Sequence, residues 1–272
     1  MTEVAHRAAR PRPPVLRALG AAEPPDAVEV SGEPYRLVRV FKHDSWAATA
    51  LYAGAARQVV CKFNRVQPVG PVPMHWLGRV LARREAALLR RLAGLPHVPR
   101  WAGDVRVNGR VQQHAVAHDF IPGHPLGDRE SVGDHFFPAL RAALAALHRR
   151  GVAYVDLHKR ENILVGDDGQ PYLIDFQIGL ARPAWWPANH EAVEAVLRLA
   201  QANDVYHLAK HVARCRPDQA ATPELPWSIR LHRLVGRPFR ALRRRLLVRA
   251  GVRTGRGRVT TEHFPEEAVR AA

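Results

Sequence analysis

Asp156, Asn162 and Asp175 are the side chains whose types and spacing point most directly to chemistry. They lie in two runs, Tyr154-Val155-Asp156-Leu157-His158-Lys159-Arg160-Glu161-Asn162-Ile163-Leu164-Val165 and Tyr172-Leu173-Ile174-Asp175-Phe176-Gln177, with Asp167-Asp168-Gly169 between them. The apolar stretches 163–165 and 172–174 read as short strands, and the Asp-Asp-Gly sequence is a turn signal that closes them into a hairpin. Closure brings Asn162 and Asp175 to one end, with Asp156 on the loop beside them. Two carboxylates and an amide oxygen are hard ligands that suit Mg²⁺ with phosphate, and the carboxylate left over can orient a hydroxyl. Surface acids flanking a hairpin are the bland alternative, and it needs the whole ordered set to arise by chance.

The order Asp, Asn, Asp-Phe resembles the catalytic and metal-binding loops of protein-kinase-like phosphotransferases. Here Asn162 lies six residues after Asp156 instead of five, Gln177 stands where the family has Gly, and Tyr154 replaces its usual His. The longer spacing and the Gln are similar to the bacterial lipopolysaccharide-core and Kdo kinase branch, which is related to RIO-type kinases. The resemblance runs from residue 35 to residue 215. It implies ATP and Mg²⁺ as cofactors, Asn162 and Asp175 as metal ligands, and Asp156 as the group that accepts or orients the acceptor hydroxyl. It also implies an α+β fold of bilobal, protein-kinase-like form. The small lobe would be a five-stranded antiparallel sheet with one helix, and the large lobe reduced and mainly helical.

Elements that could position these groups are legible along the chain. Residues 35–42 and 49–52 read as strands around a glycine-free turn, which in a kinase would cover the nucleotide phosphates; Ser45 and Thr49 are its polar side chains. Residues 58–63 form a third strand with Lys62 inside an apolar run. A lysine there needs an anionic partner or a route to water. By resemblance it pairs the phosphates; as an ordinary edge-strand lysine it would point into solvent. A helix over residues 74–93, stopped by Gly94, carries Leu77, Leu81, Leu88 and Leu92 on one stripe together with Glu85. Glu85 therefore needs a cation, and Lys62 competes for it with Arg83 and Arg84. Residues 104–107 and 110–117 flank Asn108-Gly109, a two-residue hairpin signal. In the resemblance His118 and Phe120 belong to the hinge whose backbone holds adenine.

A helix over residues 134–150, with Phe137, Leu140, Leu144 and Leu147 on one face, leads to Asp156. His158, or Lys159 given the inserted residue, is expected to touch phosphate or substrate. The Ala184-Trp185-Trp186-Pro187 segment occupies the activation-segment position. A helix over residues 191–201 precedes Asp204, which reads either as an anchor for the catalytic loop or, in the more frequent role for such an Asp, as a helix N-cap.

The 272 residues suffice for a substantial core. With 41 Lys and Arg against 25 Asp and Glu, the net charge of +16 favours anionic partners. Eleven arginines and no acid between Ser228 and Val259, with an apolar stripe broken at Pro238, suit an anionic membrane surface or glycolipid; a helix packed on the large lobe is the alternative. Nucleic acid is disfavoured, because no aromatic residues alternate with those arginines. Cys61 and Cys215 form no Cys-x-x-Cys pair, which argues against a disulfide framework or a cysteine zinc site. No apolar run reaches bilayer length and no secretory leader is apparent, so the expected location is the cytoplasm, on or near the inner face of the membrane. The expected divisions are a Pro/Arg-rich tail over 1–29, a small lobe over 30–121, a large lobe over 122–226 and a basic region over 227–272. The acceptor implied is a saccharide or lipopolysaccharide-core hydroxyl. A protein serine/threonine kinase and a pseudokinase-type nucleotide-binding module are the alternatives.

Overall fold

The strand that carries Lys62, Gln58–Asn64, is buried from Val59 onward, so both of its faces are covered. Around it the computed structural model, which describes residues 13–182 and 191–220, builds a large curled antiparallel sheet. In chain order the strands are β1 (Ala27–Val30), β2 (Glu33–His43), β3 (Ala47–Ala53) and β4 (Gln58–Asn64), then helix α1 (His75–Arg91). Next come β5 (Trp101–Gly103), β6 (Val105–Val107), β7 (Arg110–Val111), β8 (Ala115–Asp119) and β9 (Gly123–Pro125). Helix α2 (Phe136–Arg149), β10 (Val152–Ala153), β11 (Ile163–Gly166), β12 (Pro171–Leu173), β13 (Leu180–Ala181) and helix α3 (Glu191–Cys215) complete the order.

The main sheet runs β5-β8-β4-β3-β2-β1-β6-β7. Asp104 alone separates β5 from β6, yet these strands lie near opposite ends of that order, so the sheet must curl back on itself. Ser31, in the β1–β2 turn, helps close the curl by donating from Oγ to the Ala102 carbonyl at 2.7 Å. Alternate residues of β3, β4 and β8, among them Ala50, Tyr52, Cys61, Phe63 and Ala117, fill the inside of the curl as one apolar core. Thr49, Lys62 and Val116 are cross-strand neighbours and share the opposite face. That face meets a second core made by α1, α2, α3 and the β11–β12 hairpin.

Among the described residues the main sheet has eight strands where five were expected. β1 falls in the stretch expected to be tail, although Ser31-Gly32, with φ of 53° and 84°, is a two-residue hairpin turn that the sequence displays. β5 is three residues long, too short for a period-two pattern to show. The run 110–117 is broken at Gln112: its amide returns to the Val105 carbonyl at 2.8 Å, leaving β7 beside β6 while β8 crosses to β4. The Asn108-Gly109 hairpin forms as expected, with φ of 50° and 74°.

The tail also ends earlier than expected. Ala18 is fully buried, its amide donates to Asp44 and its carbonyl accepts from Val66 and Gln67. Helices α1 and α2 lie within the expected ranges. On α1 the buried residues are Gly78, Ala82, Glu85, Ala86, Leu88 and Leu89; of the expected leucine stripe Leu88 and Leu92 are buried, while Leu77 and Leu81 sit at the margin of the buried face. The third helix does not stop at residue 201. No Gly or Pro interrupts it, and it continues through Asp204 to Cys215. No helix among the described residues is long and apolar enough to cross a membrane. The tryptophan segment 184–187 and the basic region 227–272 lie outside the described residues.

Candidate active site

Lys62 projects from β4 between two carboxylates. Its Nζ lies 3.1 Å from Glu85 Oε2 and 2.5 Å from Asp175 Oδ1. Of the competing cations, Arg84 turns away to the Gly179 carbonyl at 3.1 Å and Arg83 is exposed. Burial by itself would lower the Lys62 pKa, but the carboxylates of Asp175 and Glu85 outweigh it and hold the ammonium above its ordinary value. The two acids divide. Asp175 overcomes its burial through Lys62 and is held below its usual range, whereas burial, with Asp175 close by, pushes Glu85 up. One buried cation thus serves two acids.

Asp156 anchors the second group. Its Oδ2 accepts from Lys159 Nζ at 2.7 Å and from Asn162 Nδ2 at 2.9 Å. Its Oδ1 is buried without a hydrogen bond, and His158 Nδ1 stands 3.2 Å away on a half-exposed ring. Because a carboxylate can only accept, the Asn162 amide nitrogen must face Asp156, which directs its Oδ1 elsewhere. The β11–β12 ladder then brings the two runs together: Ile163 pairs with Leu173, and the Ile174 amide donates to the Asn162 carbonyl at 3.0 Å. Asp175 follows one residue later with φ of 60°, and Val155 precedes Asp156 with φ of 70°. A β-branched residue and a carboxylate held in the left-handed region are strained positions of the kind that collect at working sites.

Three residues outside the expected site hold this loop. Asp204 is not a helix N-cap. It sits fully buried inside α3, where Oδ2 accepts from the Tyr154 amide and Oδ1 from the Val155 amide, both at 2.7 Å, with His148 Nε2 3.2 Å away. Two turns on, His211 Nε2 donates to the Leu157 carbonyl at 2.7 Å. The loop 154–157 is therefore gripped at both ends from one helix. Tyr154 places its buried hydroxyl between the carbonyls of Asn162 and Ile174, and its ring packs edge-on against Phe176. Asp204 was legible as an alternative; His211 had no signal, since a histidine within a helix is silent about what it faces.

The remaining candidates divide. Thr49 is the cross-strand neighbour of Lys62. His118 lies on the same face of β8 as Val116, and burial lowers its pKa, with Lys62 a minor contributor. The Phe120 amide is occupied by the Gln58 carbonyl at 3.1 Å, and its ring stacks on Phe41. Ser45 donates to the Leu16 carbonyl at 2.8 Å, toward the N-terminal segment. In the glycine-free turn the Asp44 carboxylate accepts from the amides of Trp46 and Ala47 at 2.6 and 2.9 Å, while Lys42 pairs with its other oxygen. Those two amides are served by the protein's own carboxylate. Beneath the turn, buried Arg65 donates to the carbonyls of Ser45, Val15 and Pro68 and ties it to the N-terminal segment.

The donor set around Asp175 and Asn162 is carboxylate and amide oxygen, which suits Mg²⁺, an ion bound through one or two carboxylates plus substrate phosphates. Compared with known proteins, the chain matches no protein family and no curated sequence. What stands is a mixed α+β protein, a large curled antiparallel sheet with three helices among the described residues, and a lysine–carboxylate–amide centre where the two cores meet.

Proposed function

We propose that the chain is an ATP-dependent phosphotransferase of bilobal, protein-kinase-like architecture, moving the γ-phosphate to a hydroxyl. One observation carries this reading. The sheet and the helical part each contribute a charged group to a single contact, Lys62 against Asp175, and the Asp156–Asn162 loop is fixed beside it. Lys62, oriented by Glu85, would take the nucleotide phosphates as its counter-charge. Asp175 and the Asn162 amide oxygen would hold Mg²⁺, which when bound supplies charge neutralisation on the phosphates. Asp156 would orient the acceptor hydroxyl through the oxygen that accepts no hydrogen bond, while Lys159 and Asn162 fix the other. Catalysis of this kind rests on positioning and charge stabilisation.

For the acceptor we propose a saccharide or lipopolysaccharide-core hydroxyl, on the strength of the net charge of +16. A protein serine/threonine acceptor is the outcome that a parallel assay with total protein would reveal. The cytoplasm, near an anionic membrane surface, is the proposed location. Asp156→Asn tests the reading: phosphate transfer should fall by at least about a thousandfold, with Mg-ATP affinity unchanged by calorimetry. Retained turnover would remove Asp156 from its role. A second reading, a nucleotide-binding module without turnover, is favoured by the Asp44 carboxylate on the turn amides. Mg-ATP stabilisation in a thermal shift without transfer to any acceptor would support it.

A further inference from the structure

Gln177 interrupts the resemblance, and its contact explains what it does there. Its Nε2 donates to Asn64 Oδ1 at 2.9 Å, 113 residues away in the chain, the same separation as between Lys62 and Asp175. Lys62 and Asn64 are two apart on β4 and so point to the same face. Asp175 and Gln177 are two apart on the opposing segment, with Phe176 between them turned into the core. The segment is thus attached to β4 by two side-chain rungs, one charged and one neutral. Asn64 is completely buried, and its amide nitrogen is already committed to the His114 carbonyl at 3.2 Å. Its oxygen is therefore fixed in place as the acceptor for Gln177.

The two rungs answer differently to an anion and a cation. A phosphate competes for Lys62 and a divalent ion competes for Asp175, so ligands of these types open the charged rung. Neither competes effectively for a neutral amide pair. We propose that Gln177 is a positioning residue: held on Asn64, it keeps the Asp175 backbone against β4 while the Asp175 carboxylate exchanges Lys62 for a metal ion. This deepens the phosphotransferase reading and rests on it for the identity of the ligands.

Hydrogen exchange in peptides covering residues 172–180 tests the attachment without nucleotide. Lys62→Met cuts the charged rung and Gln177→Ala the neutral one. Each single variant should keep part of the protection, and the double variant should exchange about tenfold faster than Lys62→Met, the equivalent of one lost hydrogen bond. A double variant no faster than Lys62→Met overturns the proposal. Should Lys62→Met fail to fold, Gln177→Glu replaces it as a readout: its carboxylate faces Asn64 Oδ1, so exchange should rise at least as much as in Gln177→Ala, and wild-type exchange overturns the proposal. Calorimetry then adds a split that general destabilisation does not produce. Gln177→Ala should weaken Mg-ATP by up to about tenfold and leave metal-free ATP unchanged; equal loss of both overturns the positioning role. A wild-type protein that binds neither form sinks the phosphotransferase reading instead, and the exchange result decides the attachment by itself.

Discussion

Lys62 is the residue on which the charge balance of the site turns. It is almost fully buried, as is Glu85, and a buried charge that loses its partner costs about 3–5 kcal/mol. Lys62→Met keeps the chain length and apolar stem but leaves Glu85 and Asp175 facing one another. Urea denaturation should therefore report a loss of that size, and Mg-ATP affinity should fall with it. Lys62, in an apolar strand, and Glu85, on an apolar helix stripe, were each legible as charges in need of a partner; that they serve one another came from the resemblance, since Arg83 and Arg84 competed for Glu85. That Asp175 shares the lysine was not legible, since no local pattern reports which carboxylate a folded loop will turn toward a strand.

Helix α3 acts as an element through two side chains on one face. Replacing Asp204 with Asn puts an amide NH₂ where a carboxylate oxygen now meets a backbone N–H, so one of the Tyr154 and Val155 amides loses its acceptor. Hydrogen bonds to charged groups contribute about 1.5–3 kcal/mol each. Asp204→Asn should lower stability by an amount in that range and speed exchange at those two amides, read by NMR. Helix α1 makes a different kind of contact. A Cβ at Gly78 would stand 2.5 Å from the Arg65 carbonyl oxygen, so the helix approaches β4's exit by way of a residue with no side chain. Gly78→Ala, which would gain about 1 kcal/mol in an isolated helix, should instead destabilise the protein in thermal melts. Sequence placed α1 and α2 to within a few residues because their apolar periodicity is local. It split α3 in two because Asp204 looks like a cap until the loop it binds is known.

For the whole molecule, acid sensitivity follows from its wholly or partly buried histidines. His118, His114 and His211 all have pKa values lowered, in each case by burial first. A folded state that binds protons less readily than the unfolded one loses stability as pH falls. The loss should begin near the unfolded value of about 6.5 and continue down to the lowered folded values. Denaturation midpoints should thus decline between pH 7.5 and 5. His211 has a buried Nδ1 without a partner and cationic neighbours in Arg214, Lys210 and Arg160, so it resists protonation for more than one reason. His211→Gln, which retains a donor for Leu157 and cannot titrate, should flatten part of that slope. An unchanged slope would assign the sensitivity to other groups.

By itself the sequence determined the hairpin between Asn162 and Asp175, the turn at Asn108-Gly109, two of the three helices among the described residues, and that Lys62 and Glu85 each need a counter-charge. Each is dictated by spacing within a short run or by the cost of burying a charge alone. Tertiary structure decided how many strands join the sheet, that the N-terminal segment packs at Ala18, that Asp204 and His211 hold the loop, and that Gln177 reaches Asn64. Those outcomes depend on pairings between residues far apart in the chain, and neither a four-residue strand nor a lone polar side chain declares its partner before the curl of the sheet has brought that partner near.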